Sequence, residues 1–123
     1  GMKKAMYKNT NKLILFIIVV LLVSCSGGPP EFTRFIMKSN EFGILIDTSD
    51  SSQLSEIHDL FYDRKEDSFA DAEFKYIIDI NTSEGKSRWQ YSVNGYMRNF
   101  EPVDAPIYKI TRVKQFNTLV KLK

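Results

Sequence analysis

The stretch Ser87-Arg88-Trp89-Gln90-Tyr91-Ser92-Val93-Asn94-Gly95-Tyr96-Met97-Arg98-Asn99-Phe100 decides the fold. Trp89, Tyr91 and Val93 alternate with polar residues, the period-two pattern of a strand with one buried face. Asn94-Gly95 follows as a hairpin turn, because both residue types tolerate positive φ. Residues 96–100 then return as a second strand. Just upstream, residues 74–80 place Phe74, Tyr76, Ile78 and Ile80 on one side and Lys75, Ile77 and Asp79 on the other. The polar turn Asn81-Thr82-Ser83-Glu84-Gly85-Lys86 joins this strand to the next. Three consecutive strands with short turns make an antiparallel meander.

Working outward, Pro102 and Pro106 bracket a loop before a short strand at 107–110. Residues 111–122 carry Val113, Phe116, Asn117 and Val120 at helical spacing. Towards the N-terminus, Leu54, Ile57, His58 and Phe61 fall at i, i+3, i+4 and i+7, so residues 53–64 read as an amphipathic helix. Asp50, Ser51 or Ser52 is its capping residue. Residues 63–71 (DRKEDSFAD) read as a charged loop. The apolar stretches 32–38 and 42–47, split by Ser39-Asn40-Glu41, form either a hairpin or a helix followed by a strand. The expectation is one α+β domain over 32–123. Its antiparallel sheet has four to six strands, with one or two helices packed on one face.

The chain has 123 residues, enough for one domain. It holds 17 basic and 15 acidic side chains, but Lys3, Lys4, Lys8 and Lys12 all precede an apolar run. Residues 25–123 therefore carry 13 basic and 15 acidic groups, a net charge of −2. That balance lacks the clustered basic footprint of a nucleic-acid-binding domain. The single cysteine excludes an intrachain disulfide, so an exported domain of this size depends on its apolar core.

Leu13 to Val23 reads LILFIIVVLLV, 11 apolar residues without a charge. A membrane-spanning helix needs about 20. The shorter run behind four lysines fits a secretory signal. Gly1, ahead of Met2, reads as an expression scar. The run closes in Leu22-Val23-Ser24-Cys25, which resembles the lipobox of bacterial lipoproteins. The resemblance covers residues 2–25 and implies three things. The Cys25 thiol receives diacylglycerol, a dedicated peptidase cuts between Ser24 and Cys25, and the new amino group is open to acylation. Several acyl chains exceed the one-chain threshold for stable anchoring. The resemblance also implies a cell-envelope location. Ser26, a non-acidic residue after the cysteine, points to the outer membrane, facing the periplasm. Residues 25–31 then comprise the lipidated cysteine and a flexible Gly/Pro tether, and residues 1–24 the scar and signal peptide.

Catalytic chemistry finds little to work with. His58 is the only histidine and shares a helix face with Leu54, Ile57 and Phe61. It is a core-rim residue or, with Asp59 or Asp63, a general base that still lacks a positioned nucleophile. One histidine and an acylated cysteine leave no zinc set, and the spacing of Asp63, Glu66, Asp67, Asp71 and Glu73 does not match an EF-hand. No phosphate loop or nucleophile elbow is present, and no cofactor is expected. The aromatic set Trp89, Tyr91, Tyr96, Phe100 and Tyr108, with Arg88 and Arg98 on its outer edge, has two readings. It packs the sheet, or it anchors a protein partner. The functional expectation is a lipid-anchored, non-catalytic binding or assembly module with an envelope protein as partner. The rivals are a small enzyme acting on cell wall or glycan through His58 or a loop carboxylate, and a carrier with a pocket between helix and sheet.

Overall fold

The computed structural model describes residues 28–41 and 43–122. The expected signal peptide, the expected cleavage position Ser24 and the expected lipid acceptor Cys25 lie outside the described residues. Residues 31–123 form one compact unit.

Seven strands and two helices alternate as β1 (Phe32–Ser39), β2 (Gly43–Thr48), α1 (Ser51–Tyr62), β3 (Arg64–Glu66), β4 (Tyr76–Thr82), β5 (Gly85–Tyr91), β6 (Tyr96–Asn99), β7 (Ile107–Ile110) and α2 (Val113–Leu119). All strands join one sheet in the order β2-β1-β4-β5-β6-β7-β3, with every neighbouring pair antiparallel. The α+β class and the meander from β4 to β7 match the sequence reading, and residues 32–48 take the hairpin alternative. The strand count exceeds the expected range by one. The extra strand, β3, lies inside the segment read as a charged loop. At three residues it is too short to show a period, and it exists because β7 offers it a ladder.

Register sets the two faces of the sheet. Phe35 opposes Ile80 and Met37 opposes Ile78 across β1 and β4; Ile78 opposes Trp89 and Tyr91 opposes Met97 further along. All four of these apolar pairs face the helices, and most of these side chains are fully buried. α1 adds Leu54, Ile57, Leu60 and Phe61, and the C-terminal segment adds Phe116, Val120 and Leu122. Each fully buried side chain of this kind stabilises the fold by about 1.5–3 kcal/mol. Tyr91 keeps its hydroxyl satisfied inside this core: it donates to Asn117 Oδ1 at 2.6 Å, and Asn117 Nδ2 donates to the Val93 carbonyl at 2.8 Å. Burial raises the Tyr91 phenol well above its ordinary range, so the hydroxyl stays a donor.

Local chemistry fixes the ends of the elements. Asp50 caps α1: its carboxylate accepts from the Gln53 backbone N–H at 2.9 Å and from the Ser52 hydroxyl at 2.8 Å. The β5–β6 connection is a correction to the two-residue turn read from Asn94-Gly95. The Ser92 N–H donates to the Tyr96 carbonyl and the Gly95 N–H to the Ser92 carbonyl, leaving a three-residue loop of Val93, Asn94 and Gly95. Only Gly95 takes a positive φ, +93°. A three-residue loop closed by a left-handed glycine is a common hairpin connection. α2 ends in a Schellman motif: the Leu122 N–H donates to Asn117 O and the Lys121 N–H to Thr118 O, with Lys121 at φ +67°.

Two long crossings shape the faces. β2 and β3 are the opposite edges of the sheet and run parallel, so α1 traverses the full width between them. β3 and β4 also run parallel, and residues 67–75 carry the chain back over β7, β6 and β5. On the face away from the helices, Ile107 is only 4% exposed, and Arg98 Nε, opposite it in register, is shielded from solvent.

Candidate functional site

On the face away from the helices, strands β1, β4 and β5 carry their polar alternates. Asp47, Ile36, Asp79 and Arg88 follow one another straight across β2, β1, β4 and β5. Arg34, Asn81 and Lys86 form the neighbouring row. The pairing is nearly complete. Arg34 grips Asp47 through two bonds, Nε–Oδ1 at 2.9 Å and Nη2–Oδ2 at 2.7 Å. Asp79 receives Arg88 Nε at 2.7 Å on one oxygen and Lys38 Nζ at 2.8 Å on the other.

These rows floor an open groove of about 600 Å³. Its wall is the segment after β6. The Phe100 N–H donates to the Arg88 carbonyl at 3.0 Å, and the Phe100 ring centroid lies 6.0 Å from the Arg88 guanidinium carbon. Asn99 and Glu101 complete the wall; Asn99 Oδ1 accepts from the Glu101 N–H.

The electrostatics favour recognition over proton transfer. Partial burial pushes the Asp79 carboxyl up, but hydrogen bonds and charge from Arg88 and Lys38 outweigh it and hold the group below the usual carboxylate range. The hydrogen bond from Arg34 likewise lowers Asp47. Both guanidiniums are correspondingly raised by their carboxylate partners. Every one of these groups is locked in its charged form near neutral pH, where a general acid or base has to exchange its proton. What remains is a fixed pattern of donors and acceptors at strand spacing beside an aromatic ring, with about half of each arginine side chain exposed to solvent.

The aromatic set read from the sequence divides by register. Trp89 and Tyr91 face the helices and belong to the core. Their rings cannot be presented to a partner, which corrects that reading for these two residues. Tyr108 is on the same face and half-buried, 4.3 Å from the guanidinium carbon of Arg64. Tyr96 and Arg98 lie on the opposite face. Lys109 Nζ lies 5.5 Å from the Tyr96 ring centroid, and Arg98 is half-buried.

Arg64 is the residue that sequence reasoning missed. It sits among four rings, with its guanidinium carbon 5.0 Å from Phe61, 4.8 Å from Tyr62, 5.1 Å from Trp89 and 4.3 Å from Tyr108. Burial lowers its pKa from the ordinary arginine value. An aromatic cage of this kind binds a cation, and here the cation is the protein's own. The signal was available as a basic residue directly after the helix, opposite the aromatic strand Ile107–Ile110, but nothing local showed that the segment turns inward.

His58 packs at the rim of the core, its ring 4.8 Å from those of Phe32 and Tyr62. Asp59 is 3.8 Å from Nδ1 and largely exposed. The acidic residues 63–73 do not converge: among the described residues no group of three or more His, Cys, Asp or Glu side chains is placed to hold a metal ion. No helix among the described residues is long and apolar enough to cross a membrane. No protein-family model, curated protein or solved structure matches this chain.

Proposed function

We propose that this protein is a lipid-anchored, non-catalytic binding module of the bacterial cell envelope, and that it holds a partner protein on the open face of its sheet. The observation that carries the reading is the groove over Arg34, Asp79, Arg88 and Phe100. Its charges are paired in advance and oriented by strand register, so they present donors and acceptors without conformational cost. An extended peptide segment matches the strand-spaced pattern, and Phe100 offers it a flat apolar contact. The lipobox sequence Leu22-Val23-Ser24-Cys25 and the Gly/Pro tether support the anchor, and Ser26 supports a position at the outer membrane facing the periplasm.

Two measurements test the proposal. Cys25→Ala is expected to release the protein from the membrane fraction of its native host; continued membrane association refutes the anchor. A photo-crosslinking residue at Ile36 or Phe100, in the groove, is expected to trap one defined partner, and the same residue at Glu56, on the exposed side of α1, none. Equal trapping at Glu56 refutes the groove.

A further inference from the structure

Of the described residues, Phe69 and Val103 are the two large apolar side chains left essentially free of contact, at 101% and 93% exposure. Both ride on tight turns. The Ala70 N–H donates to Asp67 O at 3.2 Å, closing a turn around Ser68 and Phe69. The Ala105 N–H donates to Pro102 O at 3.0 Å, closing a turn around Val103 and Asp104. Both turns are tied to the start of β7: the Asp67 N–H bonds Ile107 O at 2.7 Å, and Ala105 is buried two residues ahead of Ile107. The side chains are therefore held out on short, hydrogen-bonded supports.

Strand directions locate these tips. Ile107 opposes Arg98 near the end of β6, Trp89 opposes Asn99, and Ile80 opposes Ser87. The start of β7 is thus at the same end of the sheet as the end of β4. Phe32, the first residue of β1, opposes Thr82 at the end of β4. The tether from Cys25 consequently joins the domain at the end that carries Phe69 and Val103, with half-exposed Phe100 beside them. Seven residues from Cys25 to Phe32 reach at most roughly 25 Å. The hairpin turn at Asn94 lies at the far end, a strand length away.

We infer that Phe69 and Val103 dip into the lipid surface to which the chain is anchored, fixing the domain with this end towards the bilayer; the inference rests on the anchor reading proposed above. Apolar tips on rigid turns enter an interface at little entropic loss, and the acyl group supplies the high local concentration that two small contacts need. Asp67, Asp71, Glu101 and Asp104 flank the tips. These carboxylates hold the contact at headgroup depth and match ethanolamine headgroups better than anionic ones.

The test uses the full chain, processed and acylated in its native host and reconstituted in phosphatidylethanolamine-rich nanodiscs. Spin labels are placed through Phe69→Cys, Val103→Cys and Asn94→Cys, all exposed positions, with Cys25 blocked by its lipid. Positions 69 and 103 are expected to show several-fold lower access to a water-soluble nickel chelate than position 94, and higher access to oxygen. Equal aqueous access at all three, on a chain that mass spectrometry shows to be acylated, overturns the inference and leaves the anchor standing. A chain without acyl mass overturns both. Loss of nickel access with spin–spin broadening and no gain in oxygen access identifies a second copy on this end and also overturns it.

Discussion

The guanidinium of Arg64 lies 4.3 Å over the ring of Tyr108, closing the edge strand β3 onto β7 through side chains as well as backbone. Arg64 Nη1 is buried without a hydrogen-bond partner among the described residues. The contact with four rings is therefore what retains the cation there. Arg64→Ala removes these interactions and opens a void under Trp89 and Tyr62. A loss of about 2–4 kcal/mol in urea unfolding is expected, from cation–π and cavity contributions together. Lysine at this position recovers part of it. An alanine variant as stable as the parent refutes the role.

Gly95 is constrained twice. Its φ of +93° disfavours any side chain, and a Cβ there would collide with Val113 Cγ2. Gly95→Ala is expected to destabilise by about 2–4 kcal/mol, the sum of strain and overpacking. Adding Val113→Ala removes the collision but not the strain, so the double variant should recover part of the loss. Full recovery assigns the whole cost to the collision; none assigns it to the backbone.

Lys121 adopts φ +67° at the end of α2, where glycine has no steric penalty. Lys121→Gly is expected to raise stability by about 0.5–1 kcal/mol, read as a higher melting temperature. A neutral or lower value means the gain in backbone geometry is cancelled by unfolded-state entropy.

Acid sensitivity has a definite sign. Asp47 is lowered by its hydrogen bond from Arg34, Asp50 by the Gln53 backbone N–H, and Asp79 by Arg88 and Lys38 against the opposing effect of burial. Carboxylates depressed in the folded state bind fewer protons there than in the unfolded chain. Their contribution is complete above the unfolded value of about 4 and disappears as pH falls through the folded values. Urea midpoints should hold level from neutral pH to about pH 5 and decline below about pH 4. Asp79→Asn should flatten that decline and lower stability at neutral pH, where Lys38 and Arg88 lose their shared counter-ion. An unchanged slope removes Asp79 from the account.

The legible parts of the fold are those with a clear period. The alternations through Tyr76–Thr82 and Gly85–Tyr91, and the spacing of Leu54, Ile57 and Phe61, each repeat long enough to identify a face. β3 carries no such repeat, because Arg64-Lys65-Glu66 is entirely charged and its pairing comes from a strand 40 residues later. The groove was hidden for a related reason. Arg34 and Asp47 lie far along the chain from Asp79 and Arg88, and only register brings these polar alternates into rows. Attention to the aromatic residues led partly to the helix-covered face, since alternation sends Trp89 and Tyr91 inward with the rest of the apolar side chains.

The placement of β3 on the far edge has a consequence for biosynthesis. β1, β2 and α1 emerge from the ribosome first, yet β1 waits for β4 to pair on its inner side, and β3 waits for β7. The polypeptide therefore remains unlatched until the region around Ile110 has been made, and Phe116, Val120 and Leu122 then plug the cavity that α1 leaves over the sheet. A nascent chain that stays pliable this long is compatible with the export proposed above. Trimming the last handful of these residues should produce a species that fails to close its core and is degraded.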